Sequence, residues 1–276
     1  MMGSLGLNKS KASRLVGLCR NTLGYKPKPD KDEALRARIK ELAEKRRRSG
    51  CQMLHLLLKR EGLVINHKRT ERIYREERLA LSIRRRKKLA SQGRIEISKA
   101  ERPNELWAMD FMQDALHNGR RIRLLTVVDT YTKECPRIEV DTSIRGARVA
   151  EILSQIAGLR GLPENIIVDN GPEFISNAMD AWAYERGVKL HFIRPGKPVD
   201  NAYIESFNGR FRDECLNQHW FMSLSHARTV IEEWRNDYNL QRPHTSLKGL
   251  TPYEFASLAE NHGVEYSNCG LHNNWG

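Results

Sequence analysis

The stretch Asn165-Ile166-Ile167-Val168-Asp169-Asn170-Gly171-Pro172-Glu173-Phe174 is a short apolar run that ends on an acid and breaks into a tight turn. An apolar run of this length bounded by turn residues reads as a buried strand. From Pro172 to Arg186 the pattern reads as a helix, Lys189 to Ile193 as a short strand, and Asn201 to Leu216 as a further helix. Upstream, Leu106-Trp107-Ala108-Met109-Asp110-Phe111-Met112 is a compact apolar strand around a single acid. His117-Asn118-Gly119 supplies a turn, Ile122 to Val128 a second strand, Cys135 to Val140 a third, and Gly146 to Leu159 a helix. Three meandering strands followed by alternating helix and strand predict an α/β fold, a mixed sheet with helices on its faces.

Ahead of this region the grammar is helical. Residues 1–30 are a polar lead-in closing on Lys26-Pro27-Lys28-Pro29-Asp30, which suits neither helix nor strand. Leu35, Ile39 and Leu42 then recur at i, i+4 and i+7 along one helix face, and Ser49-Gly50 breaks that helix. A second helix follows with Met53, Leu54, Leu57 and Leu58 as its apolar stripe and Gly62 at its end. Asn66 is placed to cap a third, whose Ile73, with Leu79 beyond, faces the core. Lys68, Arg69, Arg72 and Arg75 lie largely on the other side. Three short helices with a basic last member suit a helix-turn-helix DNA-binding region, residues 31–82, or equally a plain bundle with a solvated basic face.

Charge favours the first of these. Residues 1–100 hold 28 of the 47 Lys and Arg and 10 of the 34 Asp and Glu, a net of +18, whereas residues 101–276 carry −5. One part of the chain is built to meet a polyanion. The consecutive cations Arg84, Arg85, Arg86, Lys87 and Lys88 sit in a basic linker, residues 83–102, suited to tracking phosphates. No apolar run reaches a membrane span and no secretory pattern opens the chain, so a cytoplasmic, nucleoid-associated protein is expected. The five cysteines form no Cys-x-x-Cys pair, which points to free thiols rather than disulfides or zinc.

Asp110 is an acid inside an apolar strand, and such groups are rarely buried without a partner. The choice lies between a metal ion and an arginine. Asp169 stands at the end of a buried strand, where open sheets place their ligands. Glu205 shares a helix face with Asn201, Asn208 and Arg212, at i−4, i+3 and i+7. The interval between Asp169 and Glu205 decides nothing alone; the local setting of each acid does.

Those settings carry a resemblance. Trp107 to Phe111, Val168 to Phe174 and Asn201-Ala202-Tyr203-Ile204-Glu205-Ser206-Phe207-Asn208-Gly209 resemble the three motifs of the Asp-Asp-Glu (DDE) transposases and retroviral integrases. Arg210 to Leu216 and the closing Tyr238-Asn239-Leu240-Gln241-Arg242-Pro243-His244-Thr245-Ser246-Leu247 are similar to the downstream-frame (OrfB-type) transposase of bacterial insertion sequences with two overlapping reading frames. The likeness spans residues 35 to 256, with Gly-Cys-Gln-Met at 50–53 replacing an aromatic-rich basic segment of that group.

The resemblance implies a ribonuclease-H-like integrase catalytic core over residues 103–222, a C-terminal helical extension at 223–258 and a tail at 259–276. It implies DNA cleavage and strand transfer at element ends, with Asp110, Asp169 and Glu205 as catalytic residues and metal ligands. Such acids hold two Mg²⁺ ions, with Mn²⁺ as substitute, roughly 3.5–4 Å apart for in-line displacement at phosphorus. Arg212 would meet a DNA phosphate. Expected partners are double-stranded DNA, the upstream-frame protein or a fusion with it, and further copies of the chain on DNA. Two alternatives stand: a non-catalytic DNA-binding regulator of transposition, and a retroviral-type integrase, whose N-terminal His-His-Cys-Cys zinc module residues 1–50 cannot supply.

Overall fold

Alternation along the first strand sets the two layers of the fold. The computed structural model describes residues 8–23, 32–81, 100–193 and 202–261. Strand β1 (Leu106–Ala115) sends Trp107, Met109 and Phe111 to one side of the sheet and Ala108, Asp110 and Met112 to the other, as the pleat requires. It pairs antiparallel with β2 (Arg121–Asp129), which pairs antiparallel with β3 (Arg137–Asp141). On its other edge β1 runs parallel to β4 (Asn165–Val168), and β4 to β5 (Lys189–Phe192), giving the order β3-β2-β1-β4-β5. The five-stranded mixed sheet with helices on its faces is a ribonuclease-H-like fold, as expected.

Helices α6 (Gly146–Arg160) and α7 (Asn177–Arg186) cover the Trp107 side, burying Val149, Ile152, Leu153, Met179 and Trp182 against it. Helices α8 (Ala202–Glu214) and α9 (Leu224–Leu240) cover the Ala108 side with Ile204, Phe207, Phe211, Ile231 and Tyr238. Residues 223–258 pack directly on residues 103–222. Arg228 Nε donates to the Val140 carbonyl at 2.8 Å, and the Asn239 amide bonds both the backbone N–H and the carbonyl of Cys135 at 2.9 Å. Helix α9 is therefore a layer of the core. A 3-10 turn (Thr245–Leu247) leads to α10 (Pro252–Asn261).

The helical arm comprises α3 (Glu33–Lys45), α4 (Cys51–Arg60) and α5 (His67–Glu76), packed through Leu35, Ile39, Leu42, Leu54, Leu58, Val64, Ile73 and Tyr74. Asn66 caps α5, its side chain accepting from the Lys68 N–H at 3.0 Å, and Gly62 takes a left-handed φ of 73° after α4. The arm lies against the core through charge. Arg46 forks onto Asp237 at 2.7 and 2.6 Å, Arg48 meets Asp213 at 3.2 Å, and Arg60 pairs with Glu254.

Two local expectations differ. The lead-in contains α1 (Lys9–Val16) and the one-turn α2 (Arg20–Leu23). Asn8 caps α1 at 2.9 Å and Gly17 closes it in the left-handed region, signals that act without a long apolar stripe. Helix α7 begins at Asn177 rather than Pro172, because the Ser176 hydroxyl accepts from the Met179 N–H and starts the helix there. Lys26–Asp30, Arg84, Arg85, Arg86, Lys87, Lys88, Asn201 and the tail beyond 261 lie outside the described residues. No helix among the described residues is long and apolar enough to cross a membrane.

Candidate active site

Asp110 sits mid-strand on the α8 side of the sheet, and its two carboxylate oxygens are held separately. Oδ1 accepts from the Phe111 N–H at 2.8 Å, and Oδ2 accepts from the Asn208 side-chain amide at 2.7 Å. Thr126, the cross-strand neighbour of Asp110 on β2, donates its hydroxyl to the Asn208 Oδ1 at 3.0 Å. That bond makes Oδ1 the acceptor end of the amide and turns Nδ2 toward Asp110. Asn208 and Thr126 are both buried, so this relay is shielded from solvent.

The parallel register of β1 and β4, with Ala108 opposite Ile167, carries on to bring Asp169 abreast of Asp110. Asp169 Oδ1 accepts from the Gly171 N–H at 3.0 Å. A Cβ at Gly171 would come within 2.9 Å of that oxygen, so a larger residue there would push the carboxylate out of this position. The rest of the turn is anchored: Glu173 pairs with Arg123, whose guanidinium lies 4.3 Å over the Phe111 ring, and Phe174 packs on Phe111 at 5.0 Å.

Glu205 is exposed in the first turn of α8, one turn ahead of Asn208, so the helix that grips Asp110 also carries the third acid. Burial, then the charges of Asp169 and Glu205, push the Asp110 carboxyl up to about 6 against the pull of its two hydrogen bonds. Asp169 and Glu205 thus both lie near enough to act on Asp110. No arginine or lysine pairs with any of them among the described residues. Nor, among those residues, do three acidic, His or Cys side chains stand as a ready metal-binding group. Like-charged carboxylates repel at close approach. The donor set still fits a hard divalent cation: oxygen ligands, one desolvated carboxyl and no competing guanidinium.

The predicted DNA-contacting residues divide. Arg212 is exposed on α8, donating to the Gln113 carbonyl at 3.3 Å. On α5, Lys68 is exposed, but Arg69 and Arg72 both bond Asp32, Arg72 also bonds Glu76 at 3.0 Å, and Arg75 pairs with Glu71. Sequence reasoning named Asn208 without a role and overlooked Thr126 and Arg123. The i+3 spacing from Glu205 was the available signal for Asn208.

Comparison with known proteins gives a consistent picture. Two models described as "Integrase core domain" match residues 100–198 and 186–252, and one described as "HTH-like domain" matches residues 29–88. The chain is 52% identical to the insertion element IS407 uncharacterized 31.7 kDa protein of Burkholderia multivorans, covering 92% of each. It is 30% identical to the putative transposase InsK for insertion sequence element IS150 of Escherichia coli, over 83% of this chain and 84% of that one. Among solved structures, it is similar to a chain of the simian T-cell lymphotropic virus intasome in complex with PP2A regulatory subunit B56 gamma. The TM-score there is 0.55 at 15% identity, over 85% of this chain and 80% of that one.

Proposed function

Because this chain belongs to the insertion-sequence transposases, with an integrase core behind an HTH-like domain, we propose that it cuts and joins DNA at element ends through Asp110, Asp169 and Glu205. The observation that carries this reading is the Asp110 carboxyl: desolvated, without a cation partner among the described residues, and pushed up further by two other acids. A carboxylate so placed lowers stability unless it serves another purpose.

Asp110, Asp169 and Glu205 would hold two divalent ions, Mg²⁺ or in its place Mn²⁺. Bound there, the ions supply Lewis-acid activation of the attacking and leaving oxygens of a phosphodiester. The chain's own residues do the positioning. Asn208, oriented by Thr126, keeps one Asp110 oxygen turned and leaves its remaining lone pairs open. Gly171 holds Asp169 by its backbone N–H, with no side chain of its own beside the carboxylate. Arg212, on the same α8 stripe as Glu205, reaches a phosphate near the scissile bond, and the basic arm, with Lys68 exposed on α5, holds the element end. The attacker is water in cutting and a freed 3′-hydroxyl in joining. We further propose that the chain works with the upstream-frame protein, or fused to it, as several copies on DNA.

The test is end cleavage and strand transfer from a pre-cut end, in Mg²⁺ and in EDTA, by the fusion protein. Asp110→Asn, Asp169→Asn and Glu205→Gln keep shape while removing charge, and each alone should abolish both reactions while DNA binding persists. Cleavage by one of the three variants removes that residue from the site, and activity in EDTA removes the metal. A non-catalytic regulator would show no activity for these changes to abolish.

A further inference from the structure

The segment Tyr238-Asn239-Leu240-Gln241-Arg242-Pro243-His244 takes no part in the site around Asp110, yet it holds an unexplained histidine. His244 is 5% exposed, its ring stands edge-on to Tyr238 at 5.0 Å, and its buried Nε2 has no hydrogen-bond partner among the described residues. A buried ring nitrogen left unpaired is uncommon and calls for a water, an ion or a ligand atom. Burial, with the nearby charges of Arg242, Arg210 and Lys133, pushes its pKa down to about 3, so the ring is neutral at physiological pH.

The three cations around it are not equivalent. Arg242 is engaged by a fork onto Glu214 at the end of α8. Lys133, in the β2–β3 turn, donates to the Thr130 carbonyl and lies 4.1 Å over the Tyr203 ring. Burial, opposed by Asp129 and reinforced by Arg210, pushes this ammonium down to about 8. Arg210 is exposed, and no acid pairs with it among the described residues. Lys133 over the Tyr203 ring and Arg210 two helical turns along the same face present two cations on one side of α8, tempered by the charge of Asp129, and such a pair suits an anion.

Its position is set by helix spacing. Tyr203, Phe207, Arg210 and Glu214 recur at i, i+4, i+7 and i+11 on α8, whereas Glu205, Asn208 and Arg212 follow a different stripe. The cluster therefore lies on the flank of α8 away from Glu205. Tyr203 is 39% exposed, so part of an aromatic ring stands open beside the two cations. Cations beside an exposed ring suit a nucleic-acid strand, which offers both phosphate and base.

We propose that Lys133, Arg210 and Tyr203 form a second DNA-backbone site, on the flank of α8 opposite the catalytic acids, which takes one phosphodiester with an adjacent base against the ring. His244, buried against Tyr238, feels the charges of both cations. This inference rests on the reading of the chain as a DNA-joining enzyme. It extends the DNA path across α8, so that one helix touches the strand at the reacting bond and again beyond it.

The test is binding of a labelled element-end duplex by the full chain across a salt series. Lys133→Met combined with Arg210→Ala should flatten the slope of log affinity against log salt by about 0.9 for the one phosphate lost. Thermal unfolding at the wild-type temperature will show that the fold persists. Arg186→Ala removes an exposed charge from α7, on the other face of the sheet, and should leave the slope unchanged. A double variant with wild-type slope overturns the proposal, as does an equal change in Arg186→Ala, which would mean diffuse charge alone. Inorganic phosphate that raises the melting temperature of the wild type but not the double variant, with the DNA slope untouched, assigns the site to free phosphate and overturns the DNA assignment. A wild-type chain that binds no DNA breaks the underlying reading and this inference with it.

Discussion

The arm and the sheet handle charge in opposite ways. In the arm, acids are answered by arginines: Asp32 by Arg69 and Arg72, Glu61 by Arg38, and Glu76 and Glu77 by Arg36. Further arm arginines, Arg46, Arg48 and Arg60, are engaged by acids of the core. In the sheet, Asp110 is desolvated beside two more acids, and among the described residues no cation pairs with it. An answered acid fastens structure at modest gain, since exposed pairs contribute little each. An unanswered one lowers stability and marks a site. The contrast also refines a reading by composition: the net +18 of residues 1–100 already counts their own acids, and three further cations, Arg46, Arg48 and Arg60, are answered by acids of the core.

The sharpest way to break the contrast is at Asn208, the neutral group that grips Asp110 where a cation would otherwise stand. Asn208→Leu keeps the bulk of the side chain and removes the amide. Joining activity should fall about 10–100-fold, with a higher Mg²⁺ requirement and unchanged DNA affinity. Strand transfer measured across a Mg²⁺ series decides it. An unaltered metal dependence would mean that the amide does not orient the acid.

A smaller effect concerns stability. The folded-state pKa of Asp110, about 6, stands above its ordinary 3.8, so the folded chain holds this proton more tightly than the unfolded one. Its contribution is full below pH 4 and is lost as pH rises through about 6. In metal-free buffer at pH 7, Asp110→Asn should therefore raise unfolding stability, by on the order of 1–3 kcal/mol. At pH 4 the gain should vanish. Denaturant unfolding at the two pH values measures it, and a variant less stable than wild type at pH 7 would place Asp110 among the structural acids.

The smallest change is expected in the arm. Asp32→Asn releases Arg69 and Arg72 from their shared acid. DNA affinity should rise severalfold, with a salt slope steeper by about one if one freed guanidinium finds a phosphate. Weaker binding would instead show that the ion pairs hold α5 in its DNA-facing pose. Anisotropy titrations at two salt concentrations suffice.

Much of this molecule was legible without coordinates. The strand around Asp110, the β4 run into Asp169, the apolar stripe of α3 and the Asn66 cap are local features, written in periods of two or 3.6 and in capping residues. The three motifs likewise state their residue types outright. The short α1 escaped because eight mostly polar residues leave too short an apolar stripe to stand out from the polar lead-in around them.

What the sequence by itself determined is which faces are apolar, where elements start, and which acids lack an ordinary reason to be there. Only the tertiary structure decided what those faces and acids meet. Asn208 reaches Asp110 across 98 residues of chain, and Arg46 reaches Asp237 across 191. Helix α9 became a layer of the core by closing over β3. The physical reason is that periodicity reports how much surface must be hidden, and many partners can hide it. A hydrogen bond or ion pair needs one atom within about 3 Å of another, which is set by register and packing over the whole fold.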